Sequence, residues 1–199
     1  MADIIALYGS PRRKGNTATL LDQAVAGAIA AGANVEKIVL RDYRISPCLE
    51  IYGCKKNGEC SISDDFQEIR DRIIAAKGLI IATPIFFYTV SAHVKIFMDR
   101  CQSLWVKKYW IDKTPYNQWV PKRKGLIIAV GATKGKKLFD GMLLTMRYFF
   151  DVLDMVAWDS LLFRGLDHTG DVLSMPAYLD LARKKGGHFA KAVMSPDSE

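Results

Sequence analysis

The stretch Ile4-Ile5-Ala6-Leu7-Tyr8-Gly9-Ser10-Pro11-Arg12-Arg13-Lys14-Gly15-Asn16-Thr17-Ala18-Thr19 decides how the rest of the chain is read. An unbroken apolar run from Ile4 to Tyr8, stopped by a glycine, predicts a strand covered on both faces, as in the middle of a parallel sheet. Leu20, Leu21, Ala24, Val25, Ala28 and Ile29 then recur at helical spacing, which predicts a helix over 17–31. Between the two lies a short loop of hydroxyls, amides and cations. A loop that leads from a strand into a helix presents unpaired backbone N–H groups and the positive end of the helix dipole, an arrangement that suits an anion.

Working outward, strand and helix keep alternating. Strands are predicted over 35–40, 78–83 (stopped by Pro84), 125–130 (ended by Gly131) and 156–163. Helices are predicted over 66–76, 90–105, 137–153 and 176–193. Ser63, Asp64 or Asp65 suits the N-cap of the 66–76 helix, with Gln67 or Glu68 closing a capping box. This rhythm predicts an α/β fold, a flavodoxin-like three-layer sandwich. Its five-stranded parallel sheet has order 2-1-3-4-5, with helices on both faces. Residues 1–199 read as a single domain, with 195–199 as a frayed tail. One segment breaks the pattern: 105–123 carries Trp105, Tyr109, Trp110, Tyr116 and Trp119 among prolines and lysines. So long an aromatic and basic insertion predicts a subunit interface or a lid over a ligand.

Half of the 199 residues are apolar, enough for one globular core. No apolar stretch approaches the roughly 20 residues that span a bilayer. The N-terminus lacks the basic region of a signal peptide, so the expectation is a cytoplasmic protein with no membrane partner. The net charge is +7. Its cations fall in separate clusters, at Lys107-Lys108, Lys122 to Lys124, Lys134 to Lys137 and Arg183 to Lys185, with no nucleic-acid-binding motif. That pattern favours attraction to small anions over nucleic-acid reading.

Three loops carry the candidate chemistry. The first has neither the Walker pattern nor the dinucleotide pattern G-x-G-x-x-G. Ser10, Asn16 and Thr17 offer neutral donors where those motifs place glycines, and Arg12 adds a cation that can grip oxygens in pairs. This favours a single phosphate, such as that of FMN, over a pyrophosphate; Asn16 can equally cap the helix. The second loop, Thr83 to Ser91, follows strand three. Ligands of open α/β sheets sit at the carboxyl ends of the strands where the order reverses, so it converges on the first. Its Pro84, Ile85, Phe86 and Phe87 suit a flat ring system. The third, Gly131 to Gly135, permits close backbone approach from the other side. Lys134 there offers a positive charge that would favour an anionic reduced flavin.

These residues resemble those of the NADPH-dependent FMN reductase and multimeric flavodoxin-like superfamily, and within it the iron–sulfur flavoprotein branch. The resemblance runs over most of the chain. It rests on Gly9-Ser10-Pro11-Arg12 with Gly15-Asn16-Thr17, on Pro47-Cys48 through Cys60 and Asp64-Asp65, on Thr83 to Phe87, and on Lys95 through Asp99-Arg100. It implies FMN as cofactor and NAD(P)H as electron donor, with Ser10, Arg12, Asn16 and Thr17 on the phosphate. Pro84, Ile85, Phe86 and Phe87 would border the isoalloxazine, with Gly131 and Thr133 nearby. It also implies a homodimer or homotetramer. Asp99 and Arg100 read as a structural pair on their helix.

The same branch carries a cysteine motif, C-x2-C-x2-C-x(4–7)-C. Here Cys48, Cys54 and Cys60 keep the register, but Ile51 stands at the second position. A cubane cluster takes four thiolates. Cys101 shares a helix face with Val94, Phe97 and Leu104 and reads as a core thiol. An iron–sulfur cluster is therefore not expected, no metal site is assigned, and the trio is left as structural, as a degraded site or as a thiol redox pair. No catalytic dyad is evident among His93, His168 and His188, consistent with chemistry carried by a cofactor. The expectation is an FMN-dependent oxidoreductase that passes electrons from NAD(P)H to a quinone, flavin, nitro compound or metal ion. The alternatives are a flavodoxin-like carrier reduced by a ferredoxin-type partner, and a nucleic-acid-binding or regulatory module without turnover.

Overall fold

A computed structural model of the chain describes residues 1–116 and 123–195. Trp119 of the predicted insertion and residues 196–199 of the predicted tail lie outside the described residues.

The strands are β1 (Ile4–Tyr8), β2 (Val35–Val39), β3 (Gly78–Pro84), β4 (Arg123–Gly131) and β5 (Met155–Arg164). All pair in parallel, in the order β2-β1-β3-β4-β5. The helices are α1 (Asn16–Ala30), α2 (Cys54–Asn57), α3 (Phe66–Ala75), α4 (Ala92–Arg100), α5 (Gln102–Val106), α6 (Asp140–Val152) and α7 (Pro176–Met194). Successive strand residues point to opposite faces, and both faces are covered. Ile4, Ala6, Ile80, Ala82, Leu126 and Ile128 pack under α1 and α7. Ile5, Leu7, Leu79, Ile81, Ile127 and Ala129 pack under α3, α4 and α6.

Two predicted helices are built differently. The 90–105 pattern divides at Cys101 into α4 and α5, and a turn of wide π pitch over Lys107–Ile111 follows. The 137–153 helix begins only at Asp140. Of the expected capping pairs of α3, Asp64 with Gln67 forms. Asp64 Oδ1 accepts from the Phe66 N–H at 3.0 Å, and Gln67 Oε1 accepts from the Asp64 N–H at 3.3 Å.

Two backbone contacts set the layers. A methyl group at Gly9 would lie 2.2 Å from Val94 Cγ2 and 2.8 Å from the Ala82 carbonyl, so the end of β1 needs glycine where α4 passes. On the other face α1 crosses α7 at Gly27 and Gly186, where a methyl group would meet backbone carbonyls at 1.9 and 2.0 Å. At the lower edge of the sheet Arg123 donates to the carbonyls of Ile73 (2.8 Å), Ile74 (2.9 Å), Ala76 (3.2 Å) and Leu153, so one guanidinium closes the C-termini of α3 and α6.

Candidate cofactor site

The upper edge of the sheet carries the candidate site. Helix α1 starts at Asn16 with Gly15 at its N-cap, and no side chain among the described residues caps it. Its first turn is nonetheless buried: Asn16 is 7% exposed and Thr17 4%. An uncapped, buried helix N-terminus facing a cleft is a ready anion site.

The loop ahead of α1 is braced from three directions. Arg41 donates to the Pro11 carbonyl, Arg13 pairs with Asp42 at 2.5 Å, and Ser91 Oγ donates to the Gly9 carbonyl at 2.5 Å. Ser91 also accepts from the Val94 N–H at 3.4 Å and so caps α4. One hydroxyl thus ties the β1 loop to the β3 loop. Its neighbours in the sequence carry no sign of this role.

The cleft itself measures about 130 Å³. Ser10, Arg12, Asn16, Thr17, Pro84, Ile85 and Phe86 line it, and Ala132 joins them, so each of the three sequence-assigned loops contributes to the lining. Phe87 is not among the lining residues: its ring stands wholly in solvent. Phe86 and Thr89 exchange backbone hydrogen bonds at 3.1 Å, and Phe87 and Tyr88 form a two-residue hairpin tip with φ of 49° and 61°. Left-handed conformations cost a non-glycine residue roughly 1 kcal/mol each and gather at functional sites. Gly131 and Thr133 do not line the cleft either; Val130 and Ala132 between and beside them do. The Gly131 carbonyl accepts from the Leu166 N–H at 3.3 Å, and Leu138 fills the space a side chain there would need. Lys134 is exposed and lies near Gly165.

A fourth segment was missed from sequence. Leu166 and Asp167, after β5, complete the lining. Asn16 holds this segment: its Nδ2 donates to the His168 carbonyl at 2.8 Å, and its Oδ1 accepts from the N–H groups of Gly170 (3.1 Å) and Val172 (3.2 Å). Its amide is thus committed to a loop. Arg12 reaches the same loop at Thr169 Oγ1, 3.4 Å away, and stays exposed. The only sequence signal was the position of residues 165–170 at the carboxyl end of a strand.

A larger groove, about 640 Å³, lies elsewhere, between α4, α5 and α6. It shares no lining residue with the cleft. The insertion forms one wall: Tyr109 and Tyr116 stack at 4.1 Å, Trp105 meets Tyr109 at 5.7 Å, and the Tyr109 hydroxyl donates to Asp151 at 2.5 Å. Size does not make it the cofactor site, because none of the residues that line it lies at the carboxyl end of a strand.

Fold and cleft together define a flavodoxin-like α/β protein with an uncapped helix N-terminus facing a cleft at the point where strand order reverses. Residues 2–160 match the NADPH-dependent FMN reductase family, and the chain belongs to that family. An iron–sulfur flavoprotein of Methanocaldococcus jannaschii is 39% identical over 101 residues, 51% of this chain and 52% of that protein. One of Archaeoglobus fulgidus is 34% identical over 144 residues, 71% of this chain and 69% of that protein. The match therefore spans about half the length of the first relative. Among solved structures, a flavone reductase superposes with a TM-score of 0.72 at 18% identity, covering 98% of this chain and 64% of that one. An NAD(P)H:quinone oxidoreductase from Methanothermobacter marburgensis superposes with a TM-score of 0.67 at 18% identity, covering 93% and 94%. At that identity the likeness shows the fold.

The names of the relatives raise the question of a cluster. Cys48 is exposed, Cys54 and Cys60 are half-buried, and Cys101 is fully buried among core residues, where burial pushes its thiol up. Ile51, at the missing ligand position, is exposed. Among the described residues no three His, Cys, Asp or Glu side chains are grouped to hold a metal ion. The residues present do not fit a four-thiolate cluster. Arg100, read as the partner of Asp99, instead turns inward to Asp64 at 2.6 Å, while Asp99 pairs with Lys95 at 2.7 Å.

Proposed function

We propose that the protein is an FMN-dependent oxidoreductase that takes electrons from NAD(P)H and delivers them to a small acceptor such as a quinone, flavin or nitro compound. The observation that carries this reading is the uncapped, buried first turn of α1 opening into a cleft bordered by Pro84, Ile85 and Phe86. FMN bound there would supply the two-electron chemistry between donor and acceptor. The protein's part is to bind and orient. The α1 N–H groups, Ser10 and Thr17 would hold the phosphate, with the Arg12 guanidinium closing over it. Asn16 would act one step back, by holding the 166–172 loop in place. Pro84 to Phe86 would border the ring, and the strained Phe87–Tyr88 tip would screen it from water. Gly131 and Thr133 would approach only through backbone or after movement of their loop.

The test is the visible absorption spectrum of the purified protein, repeated anaerobically after NADPH is added. An oxidised-flavin spectrum that bleaches supports the reading; a colourless protein that takes up no added FMN overturns it. Arg12→Ala is expected to weaken FMN binding by about 1.5–3 kcal/mol, roughly ten- to a hundredfold, the range for a hydrogen bond to a charged group. Flavin-fluorescence titration reads this. Unchanged affinity would remove Arg12 from the site.

A second reading is a flavodoxin-like electron carrier reduced by a ferredoxin-type partner, favoured by the +7 charge, which offers docking ground to an acidic redox protein. A bound flavin that NADPH leaves oxidised would select it. No helix among the described residues is long and apolar enough to cross a membrane. With that, a cytoplasmic setting is the simplest one. The aromatic groove between α4, α5 and α6 is the natural seat for a second subunit in a homodimer or homotetramer.

A further inference from the structure

The cysteine loop is not used by the flavin reading, yet it is built with care. Helix α2 begins at Cys54 and is a single turn; Gly58 follows with φ of 79°, and its N–H donates to the Cys54 carbonyl at 2.7 Å. Asn57 Oδ1 accepts from the Glu59 N–H at 3.1 Å. The turn closes on itself: a methyl group at Gly53 would lie 2.7 Å from Ser61 Oγ and 2.8 Å from Ser61 Cβ. Residues 53 and 61 are thus in contact, and the next residues inward are Cys54 and Cys60.

The two sulfurs are not equivalent. Cys60 Sγ accepts from Arg100 Nε at 3.3 Å. That guanidinium has no exposed surface and is fixed by the carbonyls of Ser46 and Ile62, each at 2.9 Å, and by Asp64 at 2.6 Å. A fixed cation against a sulfur is the setting of attacking cysteines. Among the described residues no buried guanidinium meets Cys54; burial pushes its thiol up, negative charge at Cys60 and at Cys48 adds to the effect, and Lys55 opposes it. The contact of residues 53 and 61 brings the Cys54 and Cys60 ends of the turn together.

We propose that Cys54 and Cys60 form a reversible dithiol–disulfide pair, with Cys60 the attacking sulfur and Cys54 the resolving one, oxidised by small-molecule disulfides. In the first step Cys60 sulfur attacks one sulfur of the small disulfide. A mixed disulfide forms and one thiolate leaves. In the second, Cys54 sulfur attacks Cys60 sulfur, the Cys54–Cys60 bond forms, and the second small thiolate leaves. The two cysteine protons end on the two released thiols, so two protein thiols are oxidised and one disulfide is reduced. Arg100 is a positioning residue. The loop takes the place of a cluster with a two-electron thiol site, and this holds whether or not FMN binds.

The experiment is titration of the reduced full-length protein with oxidised glutathione, followed by proteolysis and mass spectrometry without reductant. A Cys54–Cys60 linkage that dithiothreitol reverses is expected, with the more exposed Cys48 modified later. Cys54→Ser should stop at a stable mixed disulfide on Cys60. Cys60→Ser should leave Cys54 largely unmodified over the same time. Prior modification of Cys48, a linkage through Cys48, or stable mixed disulfides on the unaltered protein would each overturn the proposal. So would a broad visible absorbance after anaerobic incubation with iron(II) and sulfide that is lost when any one of the three cysteines is replaced.

Discussion

Gly27→Ala is expected to destabilise the protein by about 1–3 kcal/mol, although alanine is the better helix former by about 1 kcal/mol. The position lies inside α1, in a conformation any residue can adopt. What forbids a side chain is the opposing helix. A methyl group would stand 1.9 Å from the Arg183 carbonyl oxygen and 2.8 Å from its carbon. These are backbone atoms of α7, and they cannot swing aside as a side-chain tip would. The helices must separate, and the layer of Ala24, Ala28, Ala182 and Ala190 between them loosens. Gly186→Ala meets the Ala24 carbonyl at 2.0 Å and should behave alike, whereas Gly187→Ala approaches only to 3.3 Å and should cost far less. Urea denaturation of the three variants measures this. A Gly27→Ala protein at least as stable as the parent would mean the crossing is wrongly described.

Arg100→Met is expected to cost about 3–5 kcal/mol, the range for stripping one partner from a buried ion pair. The guanidinium has no exposed surface, and Asp64 is 12% exposed. Burial alone would raise the Asp64 carboxyl, but the Arg100 guanidinium and the N–H groups of Ser46 and Phe66 outweigh it and hold the group below the usual carboxylate range. The sign follows. Asp64 is charged more readily in the folded than in the unfolded chain, so its contribution is complete above the unfolded value of about 4 and fades as pH falls below it. Urea midpoints measured across that range should fall steeply for the parent and more gently for Asp64→Asn. Equal slopes would show that the carboxylate does not feel the arginine.

The sheet was readable because its evidence is local. Ile4 to Tyr8 and Leu79 to Ala82 are apolar on both faces, which only a central strand tolerates. The convergence of Ser10, Arg12 and Thr17 with Pro84 to Phe86 followed from strand order. What was not legible shares a cause. The Asn16 amide serves residues 168–172, far along the chain. Arg100 was paired with its neighbour, yet its carboxylate is Asp64. Ser91 reaches back to Gly9. Such partners leave no spacing to read. The break at Cys101 lacks proline or glycine, and the tip at Phe87 and Tyr88 lacks the glycine or asparagine that announces a left-handed turn.

Arg123 gives the two ends of the molecule different sensitivities to salt. Its partners are carbonyl dipoles at the ends of α3 and α6, reached over less than 3.3 Å. An ionic atmosphere screens charges across a Debye length of about 8–10 Å and scarcely touches contacts so short and so shielded. At the opposite edge Arg12 is exposed, and the phosphate proposed to bind beside it would lie where water and ions can also reach. Raising the ionic strength should therefore loosen the grip on a phosphate at the upper edge while the lower edge stays fastened, so that in strong salt the protein would shed its ligand well before it loses its shape.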